Sequence, residues 1–466
     1  MAIEDLIQRE QGLSRRLTQG QLTMIAIGGA IGTGLFMGSG IAIGYAGPAV
    51  LLSYVIAALI AVIMMFSLAE MAVAHPTAGS FGTYAEMYLN RWAGFLIRYT
   101  YWAAQSIAIG SEAVAVGHYM NYWFPDIPVW YFTLGFGAAI LYVNTRSVAN
   151  FGSIEYWFSM IKVVAICAFI VFGLASILGI GTPAVGFANL TDQTGGFMPH
   201  GWSGVWMAVL MAIFSFYGVE IIAVTAGEAQ DPQTAVPRAM RSMILRLFLF
   251  YVLALGIIVT IVPWMSAGTH VVTESPFVKV FSNYGLIGAA GVMNFVVITA
   301  ALSSMNANLY LTSRMLFSLS RADYAPQSLG QLNSKGTPAK AALASSIGVM
   351  IAVITSIYSA TAFNYLFGIA LFGGVLVWLM ILVCHLSFRR AWDRKKGAVL
   401  PVRSPWFPWP QYLGIALLLA ILITMGLDRE FWSTSLIVGS IWTVLVTICY
   451  LIWGRKVQAL VLGSES

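Results

Sequence analysis

Three ionisable residues stand in apolar surroundings, where charge is costly: Glu112 in QSIAIGSEAVAVG, Lys162 in EYWFSMIKVVAICAF and Glu220 in FSFYGVEIIAVTAGEA. Ionisable groups inside apolar spans are functional by default, and the chemistry they offer is proton exchange or the pairing of a charged ligand. Lys162 is the sharpest of the three. No carboxylate shares its helix face within one turn, since Glu155 is seven residues earlier. From a helix start near residue 150, Lys162 lies about 18 Å along the axis at about 1.5 Å per residue, deeper than a lysine comfortably snorkels. A lysine desolvated in this way is suited to taking up and giving away a proton. Gln105, Ile109 and Glu112 recur at i, i+4 and i+7, so they share one helix face.

The second chemical feature is backbone. IGGAIGTGLF, Ile27 to Phe36, holds four glycines between Gly28 and Gly34, and glycine weakens a helix interior by about 0.5–1 kcal/mol relative to alanine. Gly28 and Gly32 form a G-x-x-x-G pair, which close helix packing accounts for. Packing does not account for Gly32-Thr33-Gly34, where the backbone is poised to leave helical geometry. A second weak point is Gly218, two residues before Glu220. A broken helix exposes N–H groups and a positive dipole end that suit a carboxylate, and C=O groups that suit an ammonium. Unpaired backbone is tolerated in a membrane only where it lines a cavity. A zwitterion presents both charges at once, so the breaks themselves read as a binding site. Interrupted helices in matching positions of two halves are the pointer to an inverted-repeat transporter.

These residues need spans to hold them. The chain has 466 residues, 59% hydrophobic and only 9% charged, against about 25% charged in soluble domains. Twelve apolar runs lie near 18–45, 48–74, 93–121, 128–144, 150–179, 202–227, 244–267, 285–319, 339–359, 361–388, 410–427 and 432–453, each near the ~20 residues that cross a bilayer. They predict an all-α membrane protein: a single transmembrane domain over 18–455, between an N-terminal segment 1–17 and a tail 456–466. Twenty-one of the 24 lysines and arginines fall on one side, with Lys279 and Arg429 on the other and Lys162 inside a span. The positive-inside rule then puts both termini in the cytoplasm, and the expected location is the plasma membrane. The net charge of +6 is thereby a topological marker and implies no nucleic-acid partner. Arg15 and Arg16 precede the first span without a cleavage site, which reads as a retained helix. The tail carries no lipidation box. Cys167, Cys384 and Cys449 lack paired spacing and read as small core residues, with no disulfide and no metal site.

RRLTQGQLTMIAIGGAIGTGLFMGSG (Arg15 to Gly40), FSFYGVEIIAVTAGEAQDPQTAVPRA (Phe214 to Ala239) and SRMLFSLSRAD (Ser313 to Asp323) resemble the bacterial amino acid permeases of the amino acid–polyamine–organocation superfamily, amino acid transporter branch. The resemblance runs over residues 12 to 455. It implies two inverted five-helix repeats, spans 1–5 (about 18–180) and 6–10 (about 202–388), with helices 1 and 6 discontinuous and helices 11 and 12 (about 410–453) peripheral. It also implies an amino acid as substrate, carried by proton-coupled uptake. By the same resemblance the substrate carboxylate meets Gly32, Thr33 and Gly34, and its amine meets the backbone carbonyls of Ala30, Phe214 and Tyr217. Phe214 and Tyr217 could also close over the substrate, with ordinary apolar packing as the alternative. Lys162 matches a lysine that takes the place of a sodium ion in sodium-coupled relatives, and Ser303 and Ser304 match its partners on span eight. Glu220 matches a family glutamate that either relays a proton or holds the halves together as a buried acid. The face of Gln105, Ile109 and Glu112 borders the family's pocket and is expected to choose the side chain. Ala104 and Gln105 stand where some members have another acid. Glu112 could meet a second amine, pair with a lysine or stay protonated.

The remaining candidates are weaker. Glu70 and Glu155 fall near cytoplasmic helix ends and Glu86 in a short loop segment, all three read as interfacial. His118 and His385 read as polar anchors near the boundaries. Asp231 before Pro232 reads as the cap of a cytoplasmic helix. A channel would want rings of like residues from an oligomer, and five scattered histidines supply no enzyme constellation. The expected activity is therefore amino acid symport with the proton as coupling ion. Sodium coupling and exchange stand as alternatives within that class, and no cofactor or obligate protein partner is expected.

Overall fold

The first span stops at the glycine stretch. In the computed structural model Gln19–Ala30 (α1) ends there. Ile31 and Gly32 bend, and Gly34–Gly38 winds as a wider turn before Ser39–Ala46 (α2) resumes the helix. The structure describes Leu6 and residues 18–454, apart from 78, 147, 182, 230, 269–274, 360–361, 395–399, 401 and 428–431. The tail 456–466 and, Leu6 aside, the segment 1–17 lie outside the described residues.

From α2 the chain runs through Val50–Ala74 (α3), Ser80–Tyr88 (α4), Arg91–Met120 (α5), Val129–Arg146 (α6) and Val148–Leu178 (α7). The sixth span is interrupted like the first. Gly201–Ser215 (α8) ends, residues 216–220 turn, and Ile221–Thr225 (α9) follows. Pro232–Phe248 (α10), Ala254–Ile261 (α11), Pro276–Asn283 (α12), Ile287–Arg321 (α13), Ile347–Tyr358 (α14), Ala362–Asp393 (α15), Trp409–Leu427 (α16) and Trp432–Cys449 (α17) complete it. Caps mark the starts the sequence allows. Asn90 accepts a hydrogen bond from the Ala93 amide at 2.8 Å to open α5, and Ser275 with Pro276 opens α12.

Every described element is helical. Seven helical stretches among the described residues are long and apolar enough to cross a membrane, which makes this a multi-pass membrane protein. Such helices can be apolar all round because lipid, not water, faces their outer side. Helix α5 sits centrally, packed on α13, α14 and α15, while α1 packs on α7 and both touch α13. Helix α8 packs on α2 and α3. Helices α16 and α17 lean on α15 and turn Ile423, Leu427, Ile437 and Ile441 outward.

Two expectations are corrected, while the expected helix start holds: α10 opens at Pro232 and continues through the wider turn Leu249–Leu253 into α11. No glycine or proline occurs between Arg238 and Leu255 to stop it. Glu86 is in helix α4, not in a loop. Of the cysteines only Cys384 is buried, while Cys167 and Cys449 are exposed. A small apolar side chain is as much at home against lipid as in a core, so an apolar run does not distinguish the two.

Candidate functional site at the helix breaks

The two breaks meet each other directly. Gly218 holds φ at 97°, a left-handed conformation that favours glycine. A Cβ there would lie 2.1 Å from the Gly29 carbonyl oxygen of α1. Further along, a Cβ on Gly34 would lie 2.6 Å from Ser215 Cα. Backbone touches backbone at both places, and only glycine permits it.

Between the breaks lies a cavity lined by Gly32, Thr33 and Gly34 from the first break and by Phe214, Ser215 and Tyr217 from the second. Gln105, Ala108 and Glu112 of α5 and Ser304 and Asn308 of α13 complete it. Its volume is about 10 Å³, room for about one water, so admitting anything larger requires the walls to move. Thr33 Oγ1 is buried in this wall with no hydrogen-bond partner. A buried polar atom without a partner costs about 1–3 kcal/mol. Phe214 packs against Phe367 with the rings tilted by 38° and centroids 4.0 Å apart, and its ring centroid lies 5.4 Å from that of Tyr217. The Tyr217 hydroxyl donates to the Leu371 carbonyl at 2.8 Å, which pins the ring to α15. Ala30 is the last residue of α1.

Lys162, fully buried on α7, aims at the first break. Its Nζ donates to the carbonyls of Gly28 (2.5 Å) and Ile31 (2.9 Å) and to Ser303 Oγ of α13 (2.8 Å). An ammonium has three donors, and all three are used. Ser304 does not join it. That hydroxyl donates instead to Glu112, whose second oxygen accepts from Asn308 at 3.3 Å. Adjacent residues on a helix point about 100° apart, so Ser303 faces α7 and Ser304 faces α5. The expectation that both serines serve Lys162 is corrected.

Glu220 closes the turn of the second break, directly before α9. One oxygen accepts from Tyr101 (3.1 Å) and Gln105 (3.3 Å) of α5, and the other from the Gly218 amide (3.2 Å). It ties the turn to α5. Gln105 is thus spoken for by Glu220 while lining the cavity. Ile109 is not on the wall; it is buried in the core and Ala108 occupies the lining. The cavity samples positions 105, 108 and 112, a stripe that the i, i+4 spacing misses by one residue.

The reading of the sequence missed the carboxylates outside the spans' midpoints. Glu155 is buried, not interfacial. It accepts from the Ser303 hydroxyl and, at 2.9 Å, from Asn306, which is itself bonded to Asn144 at 2.7 Å. Glu70 is buried against Arg389 (2.6 Å) and His385 (3.1 Å), so His385 is a core partner and not an anchor at the boundary. Glu86 pairs with Arg98 at 2.8 Å. One signal was present: Glu155 and Lys162 lie two turns apart on one face.

The amino acid permease family model matches residues 21–457. A gamma-aminobutyric acid permease of Bacillus subtilis (strain 168) is 40% identical over 452 residues, covering 96% of this chain and 95% of its own. A probable threonine/serine transporter, YbxG, of the same organism is 39% identical over 464 residues, 97% of this chain and 98% of its own. The aromatic amino acid transport protein AroP of Escherichia coli O157:H7 is 36% identical over 455 residues, again 97% and 98%. With a family match along nearly its whole length and relatives this similar end to end, the chain belongs to the amino acid permeases of the amino acid–polyamine–organocation superfamily, which are transporters and not enzymes.

Proposed function

We propose that this protein imports amino acids across the plasma membrane by proton symport, with alternating access around the cavity between the two helix breaks. In this reading twelve spans cross the membrane, spans 1–5 and 6–10 are inverted repeats, and both termini are cytoplasmic. The substrate carboxylate meets Gly32, Thr33 and Gly34, and its amine meets carbonyls of Ala30, Phe214 and Tyr217. Such contacts read the groups all α-amino acids share. Gln105, Ala108 and Glu112 then meet what differs between them.

The observation that carries the proton is the Lys162 ammonium, bonded at once to Gly28, Ile31 and Ser303. A neutral amine keeps only two donors, so at least one of these ties is lost when the proton leaves. Protonation thereby braces the first break against α7 and α13, and deprotonation loosens it. A proton can drive transport only by binding one conformation better than the other, and this bracket supplies that difference.

The test is purified protein in liposomes, offered labelled γ-aminobutyrate, threonine, serine and aromatic amino acids. The relatives named for these substrates are similarly close to this chain, which makes them the panel to try first. An inward proton gradient should drive accumulation of at least one, and Lys162→Met should abolish it. Accumulation driven by a sodium gradient and indifferent to the proton gradient would overturn the reading.

A further inference from the structure

We propose that Glu155 is the inward proton acceptor of the transport cycle, reached from Lys162 through the hydroxyl of Ser303. The inference rests on the proton-symport reading of Lys162 and adds the route by which the proton leaves it.

Ser303 stands between the two groups and serves both. Its Oγ accepts from Lys162 Nζ at 2.8 Å and donates to Glu155 Oε1. A hydroxyl that accepts from one group and donates to another is already arranged for relay. In the transfer the Lys162 N–H bond breaks as Ser303 Oγ takes that proton, and the Ser303 O–H bond breaks as Glu155 Oε1 takes the hydroxyl's own proton. The ammonium becomes an amine, the carboxylate becomes a carboxylic acid, and serine is unchanged. An ion pair across a serine turns into two neutral groups, which buried surroundings tolerate better than separated charges. Release from Glu155 to the cytoplasm and reloading of Lys162 from outside complete one proton per cycle.

The carboxylate is held for this. Asn306 donates to Oε2 at 2.9 Å, and Asn144 of α6 bonds the Asn306 carbonyl oxygen at 2.7 Å. This fixes which side of the Asn306 amide faces Glu155. The charged groups that act on Glu155 are Lys162 on its own helix and Glu112 on α5. The facing residues bonded to it from α13, Ser303 and Asn306, are neutral. Glu112 is not the acceptor, because the hydroxyl that donates to it, Ser304, is not an acceptor of Lys162, whose three donors go to Gly28, Ile31 and Ser303.

Direction follows from position. Glu155 is seven residues, about 10 Å, nearer than Lys162 to the end of α7 that the positive-inside rule places in the cytoplasm. Helix α1 covers it there. A Cβ on Gly28 would lie 2.4 Å from Glu155 Oε1, and Ser159, one turn on, donates to the Met24 carbonyl at 2.9 Å. Movement of α1 away from α7 therefore uncovers Glu155 and removes two of the three acceptors of Lys162 in one step.

The experiment compares wild type, Glu155→Gln, Ser303→Ala and Lys162→Met in liposomes. It reads substrate binding, exchange of labelled for unlabelled substrate at equal pH, gradient-driven accumulation, and acidification of the lumen by an entrapped pH dye. Glu155→Gln keeps the shape and one of the two accepted hydrogen bonds but cannot take a proton. It should bind and exchange within about threefold of wild type, while accumulation and lumen acidification fall at least tenfold. Ser303→Ala should show the same split. Wild-type accumulation and acidification by Glu155→Gln overturn the relay. If Glu155→Gln fails to bind substrate at all, Ser303→Ala decides, and wild-type accumulation by it overturns the relay equally. Should Lys162→Met accumulate like wild type, the symport reading itself has failed, whatever Glu155→Gln does.

Discussion

Glu86, Glu228 and Glu70 each meet an arginine, whereas Glu112, Glu155 and Glu220 are held by hydroxyls, amides and backbone N–H. In the first group Arg98 pairs with Glu86 at 2.8 Å, joining α4 to α5, and also donates to Thr83 at 2.9 Å. Arg314 of α13 pairs with Glu228, just past α9, at 2.8 Å and lies 3.6 Å over the Tyr310 ring. Arg389 of α15 pairs with Glu70 of α3 at 2.6 Å, and the Ser404 amide adds a bond at 2.7 Å. A guanidinium does not give up its proton in a protein, so these pairs are permanent clamps. In the second group no such fixed charge stands at hydrogen-bond distance, and the cation that acts on Glu112 and Glu155 is Lys162, a residue type that can lose its proton. The same residue type, glutamate, is thus a rivet beside an arginine, whereas beside hydroxyls and amides it is held without a fixed countercharge. The partner decides which.

The largest effect should come from breaking a rivet. Arg314→Met strands a buried carboxylate, and removing one member of a buried pair costs about 3–5 kcal/mol. Thermal unfolding in detergent should show it as a lowered midpoint, with Arg314→Met/Glu228→Gln recovering most of the loss. No recovery in the double variant would mean the pair is more than a clamp.

Next is the geometry of the centre. Gly34→Val forces a branched side chain against Ser215 Cα, already 2.6 Å from where a Cβ would lie. Substrate binding should weaken at least a hundredfold, about 2.7 kcal/mol, while the protein still folds and inserts. Unchanged affinity, read by scintillation proximity, would move the site elsewhere.

Lys162→Met sharpens the comparison most directly. Its acceptors lose a partner, which costs about 1–3 kcal/mol, less than the loss of Arg314. Accumulation in a proton gradient should fall at least tenfold, and residual binding should lose its pH dependence. If this variant unfolds as early as Arg314→Met, lysine is a rivet too and the distinction drawn here collapses.

The smallest effect is expected from Glu112→Gln, which keeps the shape and most of the hydrogen bonding. Transport rates across the amino acid panel should shift by a few-fold in rank order, with proton dependence intact. An equal loss for every substrate would move Glu112 from choosing side chains to handling protons.

Much of the site was legible because lipid punishes exceptions. A lysine in IKVVAICAF or a glycine pair around Thr33 breaks the rule that a span is apolar and helical, and a broken rule shows without a structure. Glu155, Glu70 and Glu86 broke no rule. A carboxylate near a helix end is ordinary, and only the neighbours that cover it make it buried.

By itself, then, the chain determined the membrane class, the family and the two places where helices fail, because these follow from composition and from residues local to each span. The tertiary structure alone decided that Ser303 serves Lys162 while Ser304 serves Glu112. It also decided that Ala108 and not Ile109 lines the cavity, and that Glu155 meets Lys162 through Ser303. Each depends on the rotation of one helix about its axis against another. That rotation is set by the packing of side chains from distant parts of the chain, and a turn of 100°, one residue, exchanges one partner for the next.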